Sequence, residues 1–466
     1  MRNRHQADPQ LDGIDGASVL PFAAPMPIHA SHPPTMDAAL ARLAAVQPSA
    51  YARTRNAIEG AVTGLSPYIT HGLLSLRQVL AEVNARHPLD VQHKLVYELG
   101  WRAFFRHVWQ HRGDDILQSL HAGPLPEGAY DRELPEDIRQ ARTGVPVIDR
   151  AVETLYTTGT LHNHARMWLA SYVVHLRKVH WRAGADWLYG HLLDGDLASN
   201  HLSWQWVAGT GSSKPYVFNA ENVARYAPTD WHSFGSAVDL SYAALDAWAH
   251  ASSRRAKPET SALTGFGGME QPAVRRAPGS AMGVTAPEVA LIAGKKVWLV
   301  HPWSLGPLPA DLAPDTVIVG LYLKDFHDVW PWSDARWAFV DTRMAALTPI
   351  RWWTDVASLA VVLREASAVQ GRWDQHLRPW IGCSSSTEPQ RAPAAPGMAP
   401  AAGGVDWVPD SPLFPEVPLR CDSFSQWWRR AVKGLQTADD LLAQAPDPDP
   451  VGSASLVATA RRAPGP

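Results

Sequence analysis

The pattern of apolar residues changes along this chain, and the change divides it into parts that must fold differently. From about residue 36 to 235, long amphipathic segments alternate with short Gly/Pro breaks, and no alternating strand pattern occurs. Two segments are long enough for major helices, VQHKLVYELGWRAFFRHVWQ and TLHNHARMWLASYVVHLRKV. The chain is therefore predicted to be mainly α, with an all-helical domain over 36–235.

Capping residues mark several of the helix starts in this part. In LSPYITHG, Ser66 is predicted to cap a helix that has Pro67 at its first position. In SLRQVLAEV, Ser75 and Gln78 have the spacing of a capping box.

A different pattern begins near residue 289. KKVWLVHP, DTVIVGLYL and RWAFVDT are typical of short buried strands, and ASLAVVLREASAV is typical of a helix. We therefore predict a small α/β domain of unknown role over 289–375. A Gly/Pro/Ser/Arg-rich linker precedes it, so residues 236–288 are predicted to hold a helix end and a flexible linker.

The two ends of the chain are predicted to be less ordered. Residues 1–35 are rich in Pro and Ala and lack periodicity, so they are predicted to form a disordered arm. Residues 376–466 are predicted to be a linker (the Pro/Ala/Gly stretch at about 384–405), a short helix near SFSQWWRRAVKGLQTADDLLAQ and a polar tail.

Composition excludes several classes of protein. The 466 residues include 42 Lys+Arg and 45 Asp+Glu, so no global positive charge attracts nucleic acid. Two cysteines, Cys383 and Cys421, exclude a disulfide framework and four-cysteine zinc or iron–sulfur sites, and they favour a reducing, cytoplasmic location. No apolar run approaches the roughly 18 residues of a membrane span. The 21 tryptophans are a surplus that a plain aliphatic core does not explain.

Two clusters carry groups suited to binding an anion or a polar ligand. Thr63, Gly64 and Ser66 offer hydroxyls and accessible backbone where a helix begins, although most capped helix starts bind nothing. Asn163, Arg166 and Met167 share one helical face with Ala170, and an inward Arg166 would need a carboxylate partner. A purely structural ion pair is the alternative for this face.

Two further clusters favour a planar ligand. Asp194, Asp196 and Asn200 lie among small residues that let a large ring approach the backbone, although the acids could instead pair with arginines for structure. Glu98 and Trp101, with Arg102, present an acid, a stacking surface and a cation together, which fits a splayed base beside phosphate. An interhelical salt bridge beside a core tryptophan is the alternative.

Together these segments resemble the FAD-binding helical domain of the DNA photolyase/cryptochrome family over about residues 36–235. The matching text, in the family's order, is LSPYITHGLLSLRQ, ELGWRAFFRH, TGVPVIDRAV, TLHNHARMWLASYVV, HWRAG, DGDLASNHLSWQWVAGTG and KPYVFNAENV.

The resemblance implies that FAD is the cofactor, held in a U shape within the helical bowl. Thr63 and Ser66, with Tyr51 beside them, would hold the diphosphate. Asn163, Arg166 and Asp194 would line the flavin, with Arg166 and Asp194 as an ion pair. The remaining implied contacts are Asp196 near flavin N3–H and the ribityl chain and Asn200 next to flavin N5, where an amide tunes the redox state.

The resemblance also implies a lesion pocket and an electron chain. The pocket positions match Glu98, Trp101, Met167 and Trp206, with Asn200 beside the flavin, and the basic candidates for DNA contact are Arg102, Arg106, Arg53 and Arg55, together with the indoles of Trp101 and Trp206. Trp204 and Trp181 match the inner and middle members of the photoreduction chain. Gly128 stands at the distal position, and neighbouring Tyr130 is the candidate to replace it.

Departures from the family narrow these expectations. The first 35 residues cannot hold the usual N-terminal α/β antenna domain, so we predict no second chromophore, and the α/β pattern at 289–375 is either a relocated or an unrelated domain. The organisation resembles short, antenna-less photolyase-like proteins, for which single-stranded damaged DNA is a plausible substrate. His162 and His164 are two residues apart on a helix and point to different faces, so no metal site is expected.

Three functions follow from the resemblance. The leading hypothesis is light-driven repair of cyclobutane pyrimidine dimers, favoured by the retained pocket residues. The alternative is a cryptochrome-like photosensor that keeps FAD and signals through the C-terminal half, and the long extension favours it. A flavin-binding remnant with neither role is the third.

Overall fold

The computed structural model describes residues 32–252, 267–381, 404–409 and 411–444. Outside the described residues lie residues 1–31 of the arm predicted over 1–35, most of the predicted linker at 384–405 and the tail beyond 444. The α-helices of the first part are α1 (Met36–Ala44), α2 (Pro48–Thr54), α3 (Ser66–Thr70), α4 (Leu76–Arg86), α5 (Lys94–Arg112), α6 (Glu136–Arg139), α7 (Pro146–Thr158), α8 (Asn163–Ser171), α9 (Trp181–His191), α10 (Leu197–Ala208), α11 (Ala220–Tyr226) and α12 (Tyr242–His250).

The second part contains the strands and the remaining helices. Its strands are β1 (Val274–Arg275), β2 (Lys296–Val300), β3 (Val317–Leu323), β4 (Trp332–Ser333), β5 (Arg351–Thr354), β6 (Ala368–Arg372) and β7 (Val405–Val408). Its α-helices are α13 (Val289–Ile292), α14 (Lys324–Val329), α15 (Asp334–Ala345), α16 (Val356–Leu363), α17 (Arg378–Ile381), α18 (Phe424–Ala431) and α19 (Ala438–Ala443).

The two predicted caps have different outcomes. The capping box of Ser75 and Gln78 is present at the start of α4. The predicted cap by Ser66 is wrong, because Ser66 is itself the first residue of α3 and Leu65 occupies the cap position without a side-chain bond. The Ser66 hydroxyl instead donates to the carboxylate of Asp194 at 2.6 Å, and a charged acceptor binds a hydroxyl more strongly than a neutral group does.

The long helices around the central α10 fall close to the predicted segments. α10 packs against α5, α8 and α9. The second long segment is shorter than predicted as an α-helix, because α8 passes at Tyr172 into a π-helical turn that ends at Leu176. Lys178 then adopts a positive φ of 54°, which ends the helical path.

The second part is built on a five-stranded parallel sheet. Its strand order is β5-β3-β2-β6-β7, so the order reverses between β2 and β6, as in doubly wound α/β folds. Strands β2 and β3 lie where predicted, and Val297 pairs with Val317 to set their register. The α/β pattern is therefore a parallel sheet, with α14 and α15 between β3 and β5 along the chain and α16 between β5 and β6.

One predicted strand in this part is wrong. RWAFVDT lies inside the helix α15. The apolar residues Trp337, Val340 and Met344 of this helix recur at helical spacing on its buried face. Residues from Ala368 of the predicted helix ASLAVVLREASAV likewise belong to strand β6, since α16 ends at Leu363. Short apolar runs fit either periodicity, and only packing decides between them.

The domain boundary at 375 also differs from the structure. Strand β7, in the part predicted as linker and tail, pairs in parallel with β6 and is the fifth strand of the sheet. Helices α18 and α19 then return to the helical domain, where they pack on α5 and α4. In the predicted linker at 236–288, β1 pairs with β4 and Thr285 bridges to Trp352. No helix within the described ranges is both long and apolar enough to cross a membrane.

Candidate active site

Two buried acids lie in the turn between α9 and α10. Asp194 accepts two bonds from the Arg166 guanidinium at 2.9 and 2.8 Å and a third from the Ser66 hydroxyl. Burial alone would raise the pKa of Asp194, but Arg166 and Ser66 outweigh burial and hold it below its ordinary value. The predicted ion pair between Arg166 and Asp194 is thus confirmed.

The second acid, Asp196, is held by two arginines. It caps α10 by accepting from the backbone N–H of Ser199 at 2.9 Å. Arg106 approaches its Oδ2 at 2.8 Å and Arg102 at 3.6 Å. Burial opposes ionisation of Asp196, yet the two guanidiniums hold its pKa far below the ordinary value, so it is a fixed negative charge.

Asn200 follows Asp196 by one helical turn and has a fixed orientation. Its side-chain N–H donates to the carbonyl of Ala185 on α9 at 2.8 Å, and the residue is buried. Asp196, as the N-cap, and Asn200 therefore lie one turn apart at the start of α10. Whether this amide adjoins flavin N5 stays a prediction.

The backbone of the turn that precedes α3 faces one guanidinium and one imidazole. Gly64 has a φ of +62°, and a Cβ there would stand 2.8 Å from Nη1 of Arg42 and 3.8 Å from Nε2 of His32. The neighbouring Thr63 hydroxyl accepts from the backbone N–H of Leu65. The turn is therefore a narrow basic cradle of the kind that suits a phosphate. His32 and Arg42 were missed, because single basic residues in an arm or on a helix carry no signal.

The predicted pocket acid Glu98 lies on α5 beside Arg55 of the α2 end. Their side chains approach to 3.4 Å, and 37% of the Glu98 side chain is exposed. Burial raises the pKa of Glu98 even though Arg55 opposes the shift. Burial and the Glu98 charge also raise the pKa of nearby Tyr51, which stays neutral.

The predicted pocket indole Trp101 is stacked on a residue from the far end of the chain. The ring of Phe424 in α18 lies 4.1 Å from that of Trp101 with an interplanar angle of 11°. A Cβ at Gly100 would stand 2.4 Å from Trp428, so glycine lets α18 approach α5 this closely. Sequence reasoning missed Phe424, since 323 residues separate it from Trp101.

The other two pocket residues lie on neighbouring helices of the same bundle. Met167 is half-buried on α8, and its sulfur accepts weakly from Asn163, which is exposed one turn earlier. Trp206 is 38% exposed on α10 and lies 5.7 Å from the ring of Tyr216. Their roles toward a lesion, and that of Asn163 toward the flavin, stay predictions.

The predicted electron carriers Trp204 and Trp181 lie on the neighbouring helices α10 and α9, and Tyr130 lies in the loop before α6. Trp204 is buried against Gly184, where a Cβ would stand 2.3 Å from the indole. Trp181 donates its N–H to Ser119. His180 contacts both Trp181 at 5.6 Å and Tyr130 at 6.2 Å, so it adjoins both predicted carriers. Electron transfer along this series stays a prediction.

Two of the four arginines predicted to contact DNA are engaged within the protein. Arg102 donates to the Thr70 hydroxyl at 2.9 Å, and Arg106 bridges Asp196 and Asp374. A role of either arginine toward DNA stays a prediction. Arg53 is exposed. Among the residues that the structure covers, no group of three or more His, Cys, Asp or Glu side chains could hold a metal.

Comparison with known proteins identifies the helical part. Residues 95–231 match the family model described as the FAD-binding domain of DNA photolyase. The chain is 33% identical over 184 residues to a deoxyribodipyrimidine photo-lyase of Synechococcus sp., covering 36% of this chain and 37% of the relative. It is 34% identical over 171 residues to a cryptochrome DASH of rice, Oryza sativa, covering 35% of this chain and 29% of the relative.

Two solved structures are similar to part of this chain. A cryptochrome from Synechocystis is 31% identical, with a TM-score of 0.38, and the match covers 44% of this chain and 46% of that one. An archaeal photolyase from Sulfolobus tokodaii, described as having two FAD molecules, is 27% identical with a TM-score of 0.35, covering 41% and 44%. The chain spans about a third of the length of the curated relatives it matches.

FAD is the cofactor of this domain, and the residues present fit it. The Gly64 cradle offers the positive charge of Arg42 to a diphosphate, and the acids at 194 and 196 offer acceptors to ring N–H and sugar hydroxyl groups. The hydroxyls of Thr63 and Ser66 and the amide of Asn200 complete a polar lining for a planar ring.

Replacing Asp196 by alanine is expected to yield protein depleted of FAD. The variant loses a buried acceptor, leaves Arg102 and Arg106 without their shared carboxylate, and removes a helix cap worth about 0.5–2 kcal/mol. Asp196→Ser keeps the cap without the charge and separates the two effects. The flavin-to-protein absorbance ratio after purification measures occupancy, and the exposed Asp230→Ala is the control. Normal occupancy in Asp196→Ala would contradict the assignment.

Proposed function

Because its helical domain belongs to the photolyase/cryptochrome family, we propose that this chain is a light-driven, FAD-dependent lyase that splits cyclobutane pyrimidine dimers in DNA. The observation that carries the proposal is the pair on α5: Glu98, a partly exposed carboxyl with a raised pKa, one helical turn from the indole of Trp101. A protein that only sensed light would have no use for an acid and a stacking surface side by side on one helix.

The residues of this chain bind and orient the dimer. The raised pKa keeps Glu98 protonated to a higher pH than an ordinary glutamate, and a protonated carboxyl can donate to a pyrimidine carbonyl. Trp101 and the exposed Trp206 offer indole faces on which flipped-out bases stack. Met167 adds an adaptable apolar contact.

Reduced FAD, when bound, supplies under light the single electron that opens the cyclobutane ring and receives it back, so the repair involves no net oxidation or reduction. The protein contributes the surroundings. The fixed negative charges of Asp194 and Asp196, each neutralised by arginine, leave the polar lining preorganised. Asn200, anchored to Ala185, presents its amide in one orientation.

The proposed macromolecular partner is UV-damaged DNA, with single strands favoured. The formal charge of −3 offers no overall attraction, so binding would depend on local contacts such as exposed Arg53 and on base stacking. A dimer in a single strand also needs no unpairing before it is flipped.

The deciding experiment follows thymine absorbance in a UV-damaged single-stranded oligonucleotide with photoreduced, FAD-loaded protein under blue light. We expect absorbance to recover only in the light, because splitting the dimer restores the conjugated pyrimidine rings. A parallel sample kept dark and one with undamaged oligonucleotide are the controls. Absence of recovery from fully reduced, FAD-loaded protein would overturn the repair function.

That outcome would favour a blue-light photosensor, and one contact supports this second candidate. Phe424 of α18 covers one face of Trp101, so the C-terminal segment lies directly on the predicted pocket wall. A segment in that position could report a change at the flavin. In a photosensor, illumination would change proteolysis or hydrogen exchange of residues 411–444, whereas repair requires no such change.

A further inference from the structure

The reversal of strand order in the parallel sheet creates a crevice that the helical domain fills. In doubly wound sheets, ligands bind outside the carboxyl ends of the strands where the order reverses, here beyond β2 and β6. The ring nitrogens of His71 lie 2.7 Å from the carbonyl oxygen of Pro302, just after β2, and 2.8 Å from that of Leu193. Asp374, just after β6, accepts from Arg106 at 2.7 Å. The carboxyl ends of these strands therefore contact the loop that carries the flavin-site acids.

Asp374 and its neighbour His376 close a circuit of hydrogen bonds with the start of α10. Arg106 donates to both Asp196, at 2.8 Å, and Asp374. Nδ1 of His376 lies 2.6 Å from the other Asp374 oxygen, and the backbone N–H of Leu197 donates to Nε2 of His376 at 3.4 Å. A neutral His376 with its proton on Nδ1, assigned from these partners, makes both bonds. The circuit thus begins at the side chain of Asp196 and ends at the backbone N–H of Leu197, the next residue in the chain.

The circuit is enclosed on nearly every side. The exposed fractions of the side chains are 1% for Asp196, 12% for Asp374 and 0% for His376. The indole of Trp303 stacks on His376 at 4.4 Å with an interplanar angle of 2°. In such surroundings each charged group depends on its partner, and removing one partner leaves the other desolvated and unpaired.

We propose that Asp374 and His376 are positioning residues for the flavin site, supplied by the α/β domain. They hold Arg106 against Asp196 and fix the first turn of α10, which carries Asp196 and Asn200. The α/β domain therefore sets how tightly FAD binds and at what potential it is reduced. The inference rests on the FAD site of the proposed function but not on repair, and its measurements are made without DNA.

The test titrates FAD into flavin-stripped, full-length protein and measures the midpoint potential of the bound flavin. Asp374→Asn is expected to weaken FAD binding at least tenfold, about 1.4 kcal/mol, because Arg106 loses one of its two carboxylates. It is also expected to shift the midpoint potential upward, since removing a nearby negative charge favours the reduced flavin. Asp374→Glu keeps the charge and is expected to restore most of the affinity and potential.

Two further variants separate positioning from folding. Asp334→Asn removes an exposed carboxylate paired with Arg275 on the same domain and is expected to leave both readouts unchanged. His376→Gln keeps the charge of the circuit but not its geometry. It is expected to accelerate hydrogen exchange at the start of α10 and to weaken FAD binding at least threefold. This variant decides the question if Asp374→Asn yields no soluble protein.

Wild-type affinity and potential in Asp374→Asn would overturn the proposal. So would weaker binding with an unchanged potential and no rescue by Asp374→Glu, because a contact needed only for folding gives that pattern. If Asp374→Asn is insoluble, unchanged FAD binding and exchange in His376→Gln would overturn it. Loss of repair in a variant that keeps FAD affinity and potential would concern the repair function alone.

Discussion

Glu98→Ala is expected to keep its bound FAD and to lose most of its dimer repair. The side chain lies on α5 beside Arg55, whereas the groups that fit FAD lie in the Gly64 turn and at the start of α10. The truncation therefore removes the proposed bond to the dimer without touching the cofactor. Leaving the dimer carbonyl without its donor costs about 1–3 kcal/mol, which corresponds to a loss of about fivefold to a hundredfold in repair yield.

The measurement is the light-dependent repair yield per absorbed photon, alongside the flavin absorbance of each variant. Glu153→Ala is a matched control, because Glu153 is 42% exposed on a helix and paired with Arg150 at 2.7 Å. Glu98→Gln retains a donor and is expected to keep more repair than Glu98→Ala. Full repair by Glu98→Ala would remove Glu98 from the pocket while leaving the FAD site intact.

The folded protein is expected to lose stability steeply as the pH falls from about 6.5 to 4. Burial lowers the pKa of His301 to about 4 and that of His175 to about 4, whereas an unfolded histidine titrates near 6.5. Between pH 6.5 and pH 4 these histidines bind protons in the unfolded chain but not in the folded chain, so a lower pH favours unfolding. Each histidine contributes up to about 3 kcal/mol at pH 4, and total stabilities are about 5–15 kcal/mol.

His301 is the better probe of the two. In its neutral form it donates from Nε2 to the carbonyl of Arg372 at 2.8 Å and accepts from the backbone N–H of Trp303 at Nδ1. Its surroundings also include Asp374, which opposes the shift, and His376 and Arg372, which reinforce it. Protonation would turn its Nδ1 acceptor into a donor facing an N–H group.

The test is urea denaturation of wild type and His301→Gln at pH values from 4 to 7. We expect the free energy of unfolding to fall less steeply with acid in the variant, because one proton fewer is taken up on unfolding. The slope is informative even where the variant is less stable throughout. Identical slopes in both proteins would contradict a neutral, buried His301.

The sequence predicted the helical part well because its signals are local. Apolar spacing located the long helices, and Ser75 with Gln78 located the start of α4. The acids at 194 and 196 were recognisable because they lie with small residues in one short segment.

The α/β part was predicted less well, because the contacts that decide its structure are not local. RWAFVDT is short enough to fit a strand or a helix, and the buried face of α15 decides it. Strand β7 has only four residues and follows a Pro/Ala/Gly-rich stretch, so nothing local indicated that it completes the sheet. Ser66 was predicted to cap a helix because the sequence could not show that Asp194, 128 residues away, would accept its hydroxyl instead.

The sequence by itself determined the family of the helical domain, its cofactor and the identity of the buried acids, because residue types and spacings within short segments carry that information. Only the tertiary structure decided what those residues touch. Phe424 stacks on Trp101, and Asp374 accepts a hydrogen bond from Arg106. Each pair joins segments more than 260 residues apart. Such contacts depend on how the sheet and the bundle pack together, and packing leaves no periodic trace along the chain.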